Sequence, residues 1–372
     1  MTLRKIKMGE LIQESFSKNT DLKYDISYVR GISNNKEITR TKADVDDNVI
    51  HKFYIVMPGE FVYNPRTTRM GDKVGLGFNN TNIPLLFSFN NIAFYIKEEA
   101  KKLILPEYLY IYFNRSEFDR YAMINGWGSA TELFGIEEMY DIDIDLPDLP
   151  TQEKFVKIYQ AMVANQQAYE KGLDDLKLVC DGYIEDLRRN MPCEKIGEYI
   201  ECTDRKTDDL NLKIQGISNQ QKFNDSNSRV DGVDTSKYLR IDSREFGYSP
   251  IHINDGSIAF NSSNDSYLLS PIYKTFKVTD ENKLLPEYLM MWFGRGEFVR
   301  YCTFHAFGSA RDTFEWEQMC KVMIPIPDIN VQKAIADIYS VYIKRKEINE
   351  RLKAQIKDIC PILIKGSLEE AK

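Results

Sequence analysis

The chain lacks the sequence signals of several enzyme classes. It contains no Gly-Lys dipeptide, which excludes a P-loop, and no Pro-Pro dipeptide, which excludes the Asn-Pro-Pro-aromatic motif of adenine methyltransferases. A Gly-x-Ser-x-Gly nucleophile elbow is also absent. Gly75-Leu76-Gly77 is better explained as a turn, because nothing places it between a strand and a helix of a nucleotide-binding unit. We therefore expect no catalytic set in this chain.

The chain also offers few metal ligands and no long apolar run. Its six cysteines form no Cys-x-x-Cys pair and its three histidines are scattered, so no metal site is expected. Cys180 and Cys360 stand among apolar residues and are expected to be buried, reduced thiols. No run of eighteen apolar residues predicts a membrane span, and Met1–Ile6 lacks the apolar core of a signal peptide. These features predict a cytoplasmic protein.

The net charge of −7 argues mildly against a nucleic-acid binder, but the charges are unevenly distributed. Residues 132–148 carry seven acidic side chains and no Lys or Arg. Within them, Asp141, Asp143 and Asp145 alternate with apolar residues, which predicts a half-exposed strand with a solvated acidic face. Basic residues concentrate in one early region, at positions 30, 36, 40, 42, 52, 66, 69 and 73. Because phosphate responds to the local field rather than to the total charge, a nucleic-acid partner stays possible.

The chain repeats itself. Leu105–Leu109 returns as Leu285–Leu289, and this offset of 180 residues holds without insertion as far as Gln152 and Gln332. Further matches at this offset are Arg115 with Arg295, Arg120-Tyr121 with Arg300-Tyr301, Gly128-Ser129-Ala130 with Gly308-Ser309-Ala310, and Pro147-Asp148 with Pro327-Asp328. A repeat of this length predicts a duplicated domain with a pseudo-two-fold relation.

The two halves differ most in their N-terminal parts, here called the fronts (residues 1–104 and 191–284). The C-terminal parts, called the backs (residues 105–152 and 285–332), keep one offset. Lys7–Ile12 matches Lys195–Ile200 and Gly31–Ser33 matches Gly216–Ser218, at offsets of 188 and 185. Insertions therefore separate these openings from the matched backs. We expect the front of each half to confer a variable property and the back to supply a common frame. The fronts are predicted to be mixed α and β, and Leu105–Tyr121 a helix beginning near Pro106.

A long amphipathic helix is predicted to follow each half. In residues 151–189 two sevenfold series form an a/d seam that Gln166 interrupts, and Asn190 and Pro192 end the helix. The seam residues are Phe155, Tyr159, Met162, Tyr169, Leu173, Leu176, Cys180, Tyr183 and Leu187, and in the second copy Ile335, Ile338, Tyr342, Leu352, Ile356, Ile359 and Leu363. Such a stripe cannot be buried by one helix alone, so the two helices are expected to pair.

These patterns predict an α+β protein. It consists of two similar mixed α/β domains, residues 1–150 and 191–328, separated by a long antiparallel two-helix coiled coil formed by residues 151–190 and 329–372. The start of each helix follows a Pro-Asp pair, Pro147-Asp148 and Pro327-Asp328. Asp is common at helix N-termini, so these residues are interpreted as helix caps and not as parts of a nuclease site.

This order of motifs, present twice, resembles the specificity (S) subunits of type I DNA restriction–modification systems. The resemblance covers essentially the whole chain. It rests on Lys-x-Gly-Glu at 7–10 and 195–198, Gly-Ile-Ser at 31–33 and 216–218, the glycine-led strands 59–64 and 256–261, Leu-Pro-Glu-Tyr-Leu, Gly-Ser-Ala, and the junctions 146–152 and 326–332. The chain departs from the family at Thr151 and at Asn330-Val331, where a Glu often precedes the Gln.

The resemblance implies two target-recognition domains, each reading one half of a bipartite double-stranded DNA site. The helices between them would dock two methyltransferase subunits, which flip an adenine and methylate its N6 with S-adenosylmethionine, and a restriction translocase subunit can join. The S subunit itself would catalyse nothing and bind no cofactor.

Base readout requires polar side chains on loops that enter the major groove. The candidates in the first half follow a predicted strand and are Asn64, Arg66, Thr67, Arg69 and Lys73. Those in the second half, taken to be in the equivalent place, are Asn261, Ser262, Ser263 and Asn264. Each could equally belong to an ordinary turn. The alternative function is a protein-interaction scaffold that carries two copies of a binding domain on a coiled coil and does not bind DNA. A free-standing enzyme is a third possibility, which we do not expect.

Overall fold

The computed structural model describes residues 3–33, 35–41, 45–66, 73–126, 133–207, 211–225, 234–308 and 312–372. They form two compact units. Unit 1 consists of Met1–Tyr169 and Ile348–Lys372, and unit 2 of Glu170–Glu347. Each unit thus combines one globular part with a segment of each of two long helices. Of the helices in the described ranges, each is too short or too polar to cross a bilayer.

In the described part of residues 3–148, ten strands and four short α-helices precede the first long helix. The strands are β1 (Arg4–Lys7), β2 (Ile12–Ser15), β3 (Arg30–Ile32), β4 (Ile38–Arg40), β5 (Tyr54–Val56), β6 (Phe61–Tyr63), β7 (Leu76–Phe78), β8 (Leu85–Phe87), β9 (Ile92–Ile96) and β10 (Asp143–Leu146). The helices are α1 (Met8–Leu11), α2 (Pro106–Phe113), α3 (Ser116–Ile124) and α4 (Ile136–Tyr140), followed by the long α5 (Leu149–Asn190).

The second half of the chain ends in the other long helix. Its strands are β11 (Cys193–Lys195), β12 (Ile200–Cys202), β13 (Arg205–Lys206), β14 (Lys213–Ile217), β15 (Phe223–Asp225), β16 (Leu239–Ile241), β17 (Glu245–Tyr248), β18 (Ile258–Phe260), β19 (Tyr267–Leu269), β20 (Lys274–Val278) and β21 (Met323–Pro325). Its helices are α6 (Pro286–Phe293), α7 (Gly296–His305), α8 (Trp316–Met319) and the long α9 (Ile329–Glu370). The mixed α+β architecture agrees with the prediction.

Each unit contains a four-stranded antiparallel sheet of the same kind. Its strand order is β2-β9-β6-β7 in unit 1 and β12-β20-β17-β18 in unit 2. At the centre of each sheet two rings stack with an interplanar angle of 7°: Phe61 on Phe94 at 5.1 Å, and Phe246 on Phe276 at 4.8 Å between centroids. These phenylalanines are fully buried, and α2 or α6 covers the same face of the sheet. The predicted duplication is therefore present in the packing of the core.

The predicted single helix over 105–121 is wrong. The structure has two helices, α2 and α3, which break at Asn114 and Arg115, and unit 2 breaks at the corresponding Gly294 and Arg295. The Asn114 side chain turns back and donates a hydrogen bond to the carbonyl oxygen of Tyr110 at 2.9 Å, which supports the end of α2. A local cap of this kind competes with helix continuation, and apolar periodicity does not reveal it.

The acidic strand is neutralised by its neighbour. β10 alternates exposed Asp143 and Asp145 with buried Ile144 and Leu146, as predicted. It pairs antiparallel with β1, and Lys5 lies 3.3 Å from the Asp143 carboxylate. Asp141 lies in the turn before the strand, where Lys7 approaches it at 3.5 Å. The acidic face is therefore largely compensated within unit 1.

The opening motifs serve close packing. Gly9 of the first Lys-x-Gly-Glu motif lies against Tyr140 at the end of α4, and a Cβ there would stand 2.9 Å from the Tyr140 Cβ. In unit 2 the corresponding Gly197 meets Cys320, 2.7 Å from its Cβ. Tyr140 and Cys320 are themselves 180 residues apart. Only glycine allows this approach.

A buried glutamine attaches each long helix to its globular part. The Gln152 amide is fully buried, donates to the carbonyl oxygens of Leu103 (2.8 Å) and Pro147 (2.9 Å), and accepts from the Leu105 N–H (3.0 Å). Gln332 repeats the three bonds with Lys283, Pro327 and Leu285 at 2.7, 2.8 and 2.9 Å. The aspartates cap as predicted: Asp148 accepts from Thr151 N–H and Asp328 from Asn330 N–H.

The long helices pack against each other in antiparallel fashion within each unit. In unit 1, Lys154 pairs with Glu370 at 2.6 Å and Phe155 touches Gly366, whereas Gln166 reaches Asn349. In unit 2, Gly172 approaches Arg345. Further along α5, the carboxylate of Asp181 adds to the rise that burial causes in the pKa of Tyr342. The predicted packing of α5 on α9 is thus present, and α5 ends at Asn190 as expected.

The seam residues lie on the facing sides of these helices, with one exception. Buried seam residues are Leu173, Cys180, Ile335 and Leu363; half-buried ones are Phe155, Tyr159, Met162, Tyr169, Leu176, Leu187, Ile338, Tyr342, Leu352, Ile356 and Ile359. The prediction is wrong at Tyr183, which is 50% exposed, while the neighbouring Ile184 is 1% exposed. A 3.6-residue helix drifts about 20° per heptad, so the buried stripe moves by nearly one residue in four heptads.

The polar interruption of the seam has a partner that the sequence did not reveal. The Gln166 side-chain amide donates to the Asn349 Oδ1 at 3.0 Å, and both side chains are buried. A polar pair at a coiled-coil seam fixes the register, because a slip would leave both amides without a partner.

We expect Gln166→Leu to destabilise the chain by about 1–3 kcal/mol, because Asn349 is left buried without this hydrogen bond. The double variant Gln166→Leu/Asn349→Leu is expected to recover most of that loss. Thermal unfolding of the parent chain, Gln166→Leu, Asn349→Leu and the double variant measures both effects, with Gln167→Leu on the exposed side of α5 as a control. Additive losses in the double variant would contradict a direct interaction.

Candidate nucleic-acid interface

The first candidate segment follows strand β6 of unit 1. The Asn64 N–H donates to the Gly75 carbonyl oxygen at 2.8 Å, and the Asn64 side chain accepts from the Arg66 N–H at 3.0 Å. Arg66 also forms an isolated antiparallel bridge with Leu133. Arg66 is half-buried and Lys73 is exposed, whereas Thr67 and Arg69 lie outside the described residues. Asn64 thus shapes the turn that presents Arg66.

The second candidate segment does not occupy the place equivalent to Asn64, and this part of the prediction is wrong. β18, which precedes Asn261, is the edge strand of its sheet and pairs with β17, just as β7 is the edge strand of its sheet and pairs with β6. The counterpart of Asn261 is therefore Asn79. The sequence misleads because a glycine with positive φ precedes both β6 and β18, Gly59 at 85° and Gly256 at 92°, and an Asn follows both.

Asn79 and Asn261 make matching hydrogen bonds. The Asn79 Oδ1 accepts from the Thr81 N–H and hydroxyl at 3.1 and 2.6 Å, and the Asn261 Oδ1 accepts from the same groups of Ser263 at 3.2 and 2.7 Å. The Asn261 amide also donates to the Asp265 carbonyl oxygen. Since Asn261 is 2% exposed, its role is to shape the turn. Ser262 and Asn264 are the exposed candidates of this segment.

The exposed part of that turn borders a cleft of about 700 Å³ within unit 2. Its wall brings Ser262 together with the hairpin residue Lys222 and with Lys344 and Lys346 of α9. The lining includes five cationic side chains and three acidic ones, so the local charge is positive despite the acidic chain. Glu347 pairs with Lys222 at 2.8 Å, and Asp181 with Lys177 at 2.6 Å.

The sequence did not predict a pair of arginines on the five-stranded sheet of unit 2, whose strand order is β13-β16-β19-β14-β15. Arg205 on β13 stands directly opposite Arg240 on β16. Like charges in cross-strand positions repel, and the Asp242 carboxylate offsets this by bonding both, each at 2.7 Å. Arg205 also bonds Glu245 at 2.9 Å, and Ser266 donates to Asp242. The inside-outside alternation of Leu239-Arg240-Ile241 signals an outward Arg240, but only the fold brings Arg205 beside it.

The Asp242 carboxylate is held in its charged form. Partial burial raises the pKa of Asp242, but the hydrogen bonds from Ser266 and Arg240 and the positive charges of Arg240 and Arg205 outweigh that effect and leave the pKa below its ordinary value. The bonds from Arg205 to Asp242 and Glu245 all come from one guanidinium nitrogen, and a guanidinium has five N–H donors, so Arg205 can still donate to phosphate or to a base edge.

Unit 1 presents its own cross-strand arginine pair, on a different hairpin. Arg30 on β3 is directly opposite Arg40 on β4. Arg30 donates to the carbonyl oxygens of Ser27 (2.6 Å) and Val29 (2.8 Å), which hold its guanidinium in place, and Arg40 is exposed. In unit 2 the equivalent hairpin β14–β15 places Gln215 opposite Asp225. The same scaffold position thus carries opposite chemistry in the two units.

One basic residue of the early region does not face solvent. Lys36, at the tip of the β3–β4 hairpin, is 4% exposed and donates to the Phe113 carbonyl oxygen at the end of α2. Gln221, at the tip of the β14–β15 hairpin, donates in the same way to Phe293 at 3.0 Å. Both tips have positive φ, 61° and 62°. These side chains attach the hairpins to the common frame.

Within the described ranges, no three His, Cys, Asp or Glu side chains gather in a way that could hold a metal ion. The clustered polar groups are the arginine pairs and turn residues described above, which can donate hydrogen bonds to an anionic ligand.

Comparison with known proteins agrees with this geometry. Residues 207–358 match the protein-family model described as the type I restriction modification DNA specificity domain. No curated protein matches the chain in sequence. Among solved structures, the S subunit of a type I restriction-modification system from M. genitalium has a TM-score of 0.60 at 8% identity, over 99% of this chain and 96% of that one.

Two further solved structures match over nearly the whole chain. A chain of a type I R-M system, solved in a study of complex assembly and conformational transition, has 12% identity and a TM-score of 0.49, with 98% of each chain covered. The HsdS subunit from Thermoanaerobacter tengcongensis has 13% identity and a TM-score of 0.36, with 98% of this chain and 96% of that chain covered. Residues 207–358 are thus similar to the type I restriction modification DNA specificity domain, and the chain along its length shares the fold of the M. genitalium S subunit.

Proposed function

We propose that this chain provides the DNA specificity of a type I restriction–modification complex by reading a bipartite duplex site, one half with each unit. The observation that best supports this is a common frame carrying two different polar surfaces. The hydrogen bonds of the buried Gln152 recur at Gln332. By contrast, the β3–β4 hairpin of unit 1 carries Arg30 and Arg40, and the equivalent β14–β15 hairpin of unit 2 carries Gln215 and Asp225. Two unlike readers on one frame suit a target whose halves differ in sequence.

The proposed contacts with DNA come from both units. In unit 1 they are Arg30, Arg40, Arg66 and Lys73, with Thr67 and Arg69 as further candidates from the sequence. In unit 2 they are Arg205, Arg240, Ser262 and Asn264. We assign Asn64, Asn261 and Ser263 to shaping the turns, because their polar groups bond within those turns. Arginines can read guanine or hold phosphate, and Ser and Asn can read base edges.

The chemistry would belong to the partners. We propose that residues 1–150 and 191–328 are the target-recognition domains and that α5 and α9 dock two methyltransferase subunits. These subunits would flip an adenine and methylate its N6 with their own S-adenosylmethionine, and a restriction subunit would join the complex. This chain would contribute binding free energy and position, with no catalytic residue and no cofactor of its own.

The experiment that tests this function compares methylation with and without the gene. Cells that carry the chain and its methyltransferase partner are expected to show adenine methylation at one bipartite motif, and deletion of the gene should abolish it. Gel-shift binding of the reconstituted complex to duplexes with that motif provides the second measurement. A continuous motif, or unchanged methylation after deletion, would contradict the proposal. Complex formation without duplex binding would favour the scaffold alternative.

We expect Arg40→Gln and Arg240→Gln each to weaken duplex binding by the reconstituted complex, because each removes a proposed phosphate contact. Each variant should lower the slope of log affinity against log salt by about 1. Arg120→Gln and Arg300→Gln are matched controls, since these repeat mates are exposed on α3 and α7. Salt slopes that match those of the controls would exclude both arginines from the interface.

A further inference from the structure

Unit 1 contains a buried ion pair beside the candidate segment. The Lys36 Nζ lies 2.8 Å from the Asp119 Oδ1, with side-chain exposures of 4% and 12%. The ammonium also donates to the Phe113 carbonyl oxygen at 2.5 Å and lies 5.1 Å from the centre of the Phe118 ring. Burial lowers the pKa of Lys36, and Asp119 opposes that shift. Charges are rarely buried in this way unless they are paired.

Asp119 has a second task. Its Oδ1 accepts a hydrogen bond from the backbone N–H of Val74 at 3.0 Å, across 45 residues of sequence. Val74 is fully buried and stands between the exposed Lys73 and Gly75, whose carbonyl oxygen accepts from Asn64 N–H. Asp119 therefore ties the entry to β7 to helix α3.

The corresponding residues of unit 2 form neither the buried ion pair nor the hydrogen bond from helix to backbone. The repeat mate of Asp119 is Val299, and the hairpin tip is Gln221 instead of Lys36. The turn that corresponds to Asn64–Gly75 runs from Ser249 to Ser257, which are joined by the equivalent backbone bond. The residue that corresponds to Val74 is Gly256, and its N–H donates to Ile253 inside the same turn. The shorter turn of unit 2 closes itself and needs no bond from α7.

This internal comparison separates two roles. Gln221 shows that a neutral side chain is sufficient to attach the hairpin tip to the helix end, so that attachment does not require the charges of Lys36 and Asp119. What Asp119 adds is an acceptor for a buried backbone N–H that would otherwise lack a partner. Lys36 then balances the buried carboxylate.

We propose that Asp119, with its charge balanced by Lys36, is a positioning residue that holds Val74, and with it Lys73, in place for contact with the half-site of unit 1. It acts through the backbone and does not itself touch DNA. The inference rests on the proposed DNA-reading function and adds to it a residue outside the loops.

The test compares two double variants in the full chain. Lys36→Gln/Asp119→Val copies the pair of unit 2 and removes the acceptor for the Val74 N–H. Lys36→Gln/Asp119→Asn also removes both charges but keeps a side-chain oxygen to accept that bond. Neither variant leaves a lone buried charge, and Gln221 shows that Gln tolerates the positive φ of the hairpin tip. The pair therefore isolates one hydrogen bond.

The first measurement does not involve DNA. Hydrogen exchange of the Val74 amide is expected to be as slow in the Asn variant as in the parent chain, and at least about fivefold faster in the Val variant, the size expected for loss of one net hydrogen bond. The Val322 amide, in unit 2, serves as an internal reference. Equal exchange at Val74 in all three proteins would overturn the anchoring role.

The second measurement uses the reconstituted methyltransferase complex with duplexes mutated in one half-site at a time. In the Val variant, the ratio of affinities for the intact and the mutated half-site should fall about fivefold at the half-site read by unit 1 and stay unchanged at the other. The Asn variant should resemble the parent. Equal loss at both half-sites, or none, would overturn the positioning role. If the parent complex itself discriminates at neither half-site, the proposed function fails, whatever the exchange data show.

Discussion

A buried glutamine amide at the start of each long helix is the interaction on which the architecture depends. Gln152 and Gln332 each satisfy two carbonyl oxygens and one N–H of the segments that lead into α2, α5, α6 and α9. A buried backbone group without a partner costs more free energy than a bond contributes, so both segments must keep their spacing to the helix. An insertion within Leu103–Leu105 or Pro147–Gln152 would break this geometry, so we expect these short segments to keep their length.

The fronts of the units escape that constraint. Their hairpins are attached to the frame near the tips, where Lys36 or Gln221 reaches the last carbonyl oxygen of α2 or α6 and Lys222 pairs with Glu347. Beyond that attachment, the strands can carry any outward side chains that do not disturb the buried ones. Unit 1 uses this freedom for Arg30 and Arg40, and unit 2 uses another strand pair for Arg205 and Arg240.

The charge distribution makes an acidic chain compatible with the proposed DNA target. The acidic strand β10 is compensated by Lys5 and Lys7 within its own unit, so its charges do not dominate a distant surface. The two arginines of unit 2, Arg205 and Arg240, repel each other, and the Asp242 carboxylate offsets this repulsion by bonding both. Preorganised guanidiniums lose less side-chain entropy when an anion binds, which favours this arrangement over free lysines.

Several features could be predicted from the sequence because they depend on local periodicity or on nearest neighbours. The alternation in β10, the caps at Asp148 and Asp328, the end of α5 and the antiparallel helix pair belong to this group. The errors share a different cause. The Asn114 side chain supports a helix end that apolar periodicity does not reveal, and the exposure of Tyr183 comes from helical drift accumulated over four heptads.

The sequence by itself determined the duplicated frame and the division into matched backs and divergent fronts, since repeat spacing and apolar period are one-dimensional properties. Only the tertiary structure decided which polar residues meet. Arg205 finds Arg240, Gln166 finds Asn349, and Lys36 finds Asp119 across 35 to 183 residues of chain. The physical reason is that such pairs depend on strand register, helix phase and burial, which arise only when distant segments pack together.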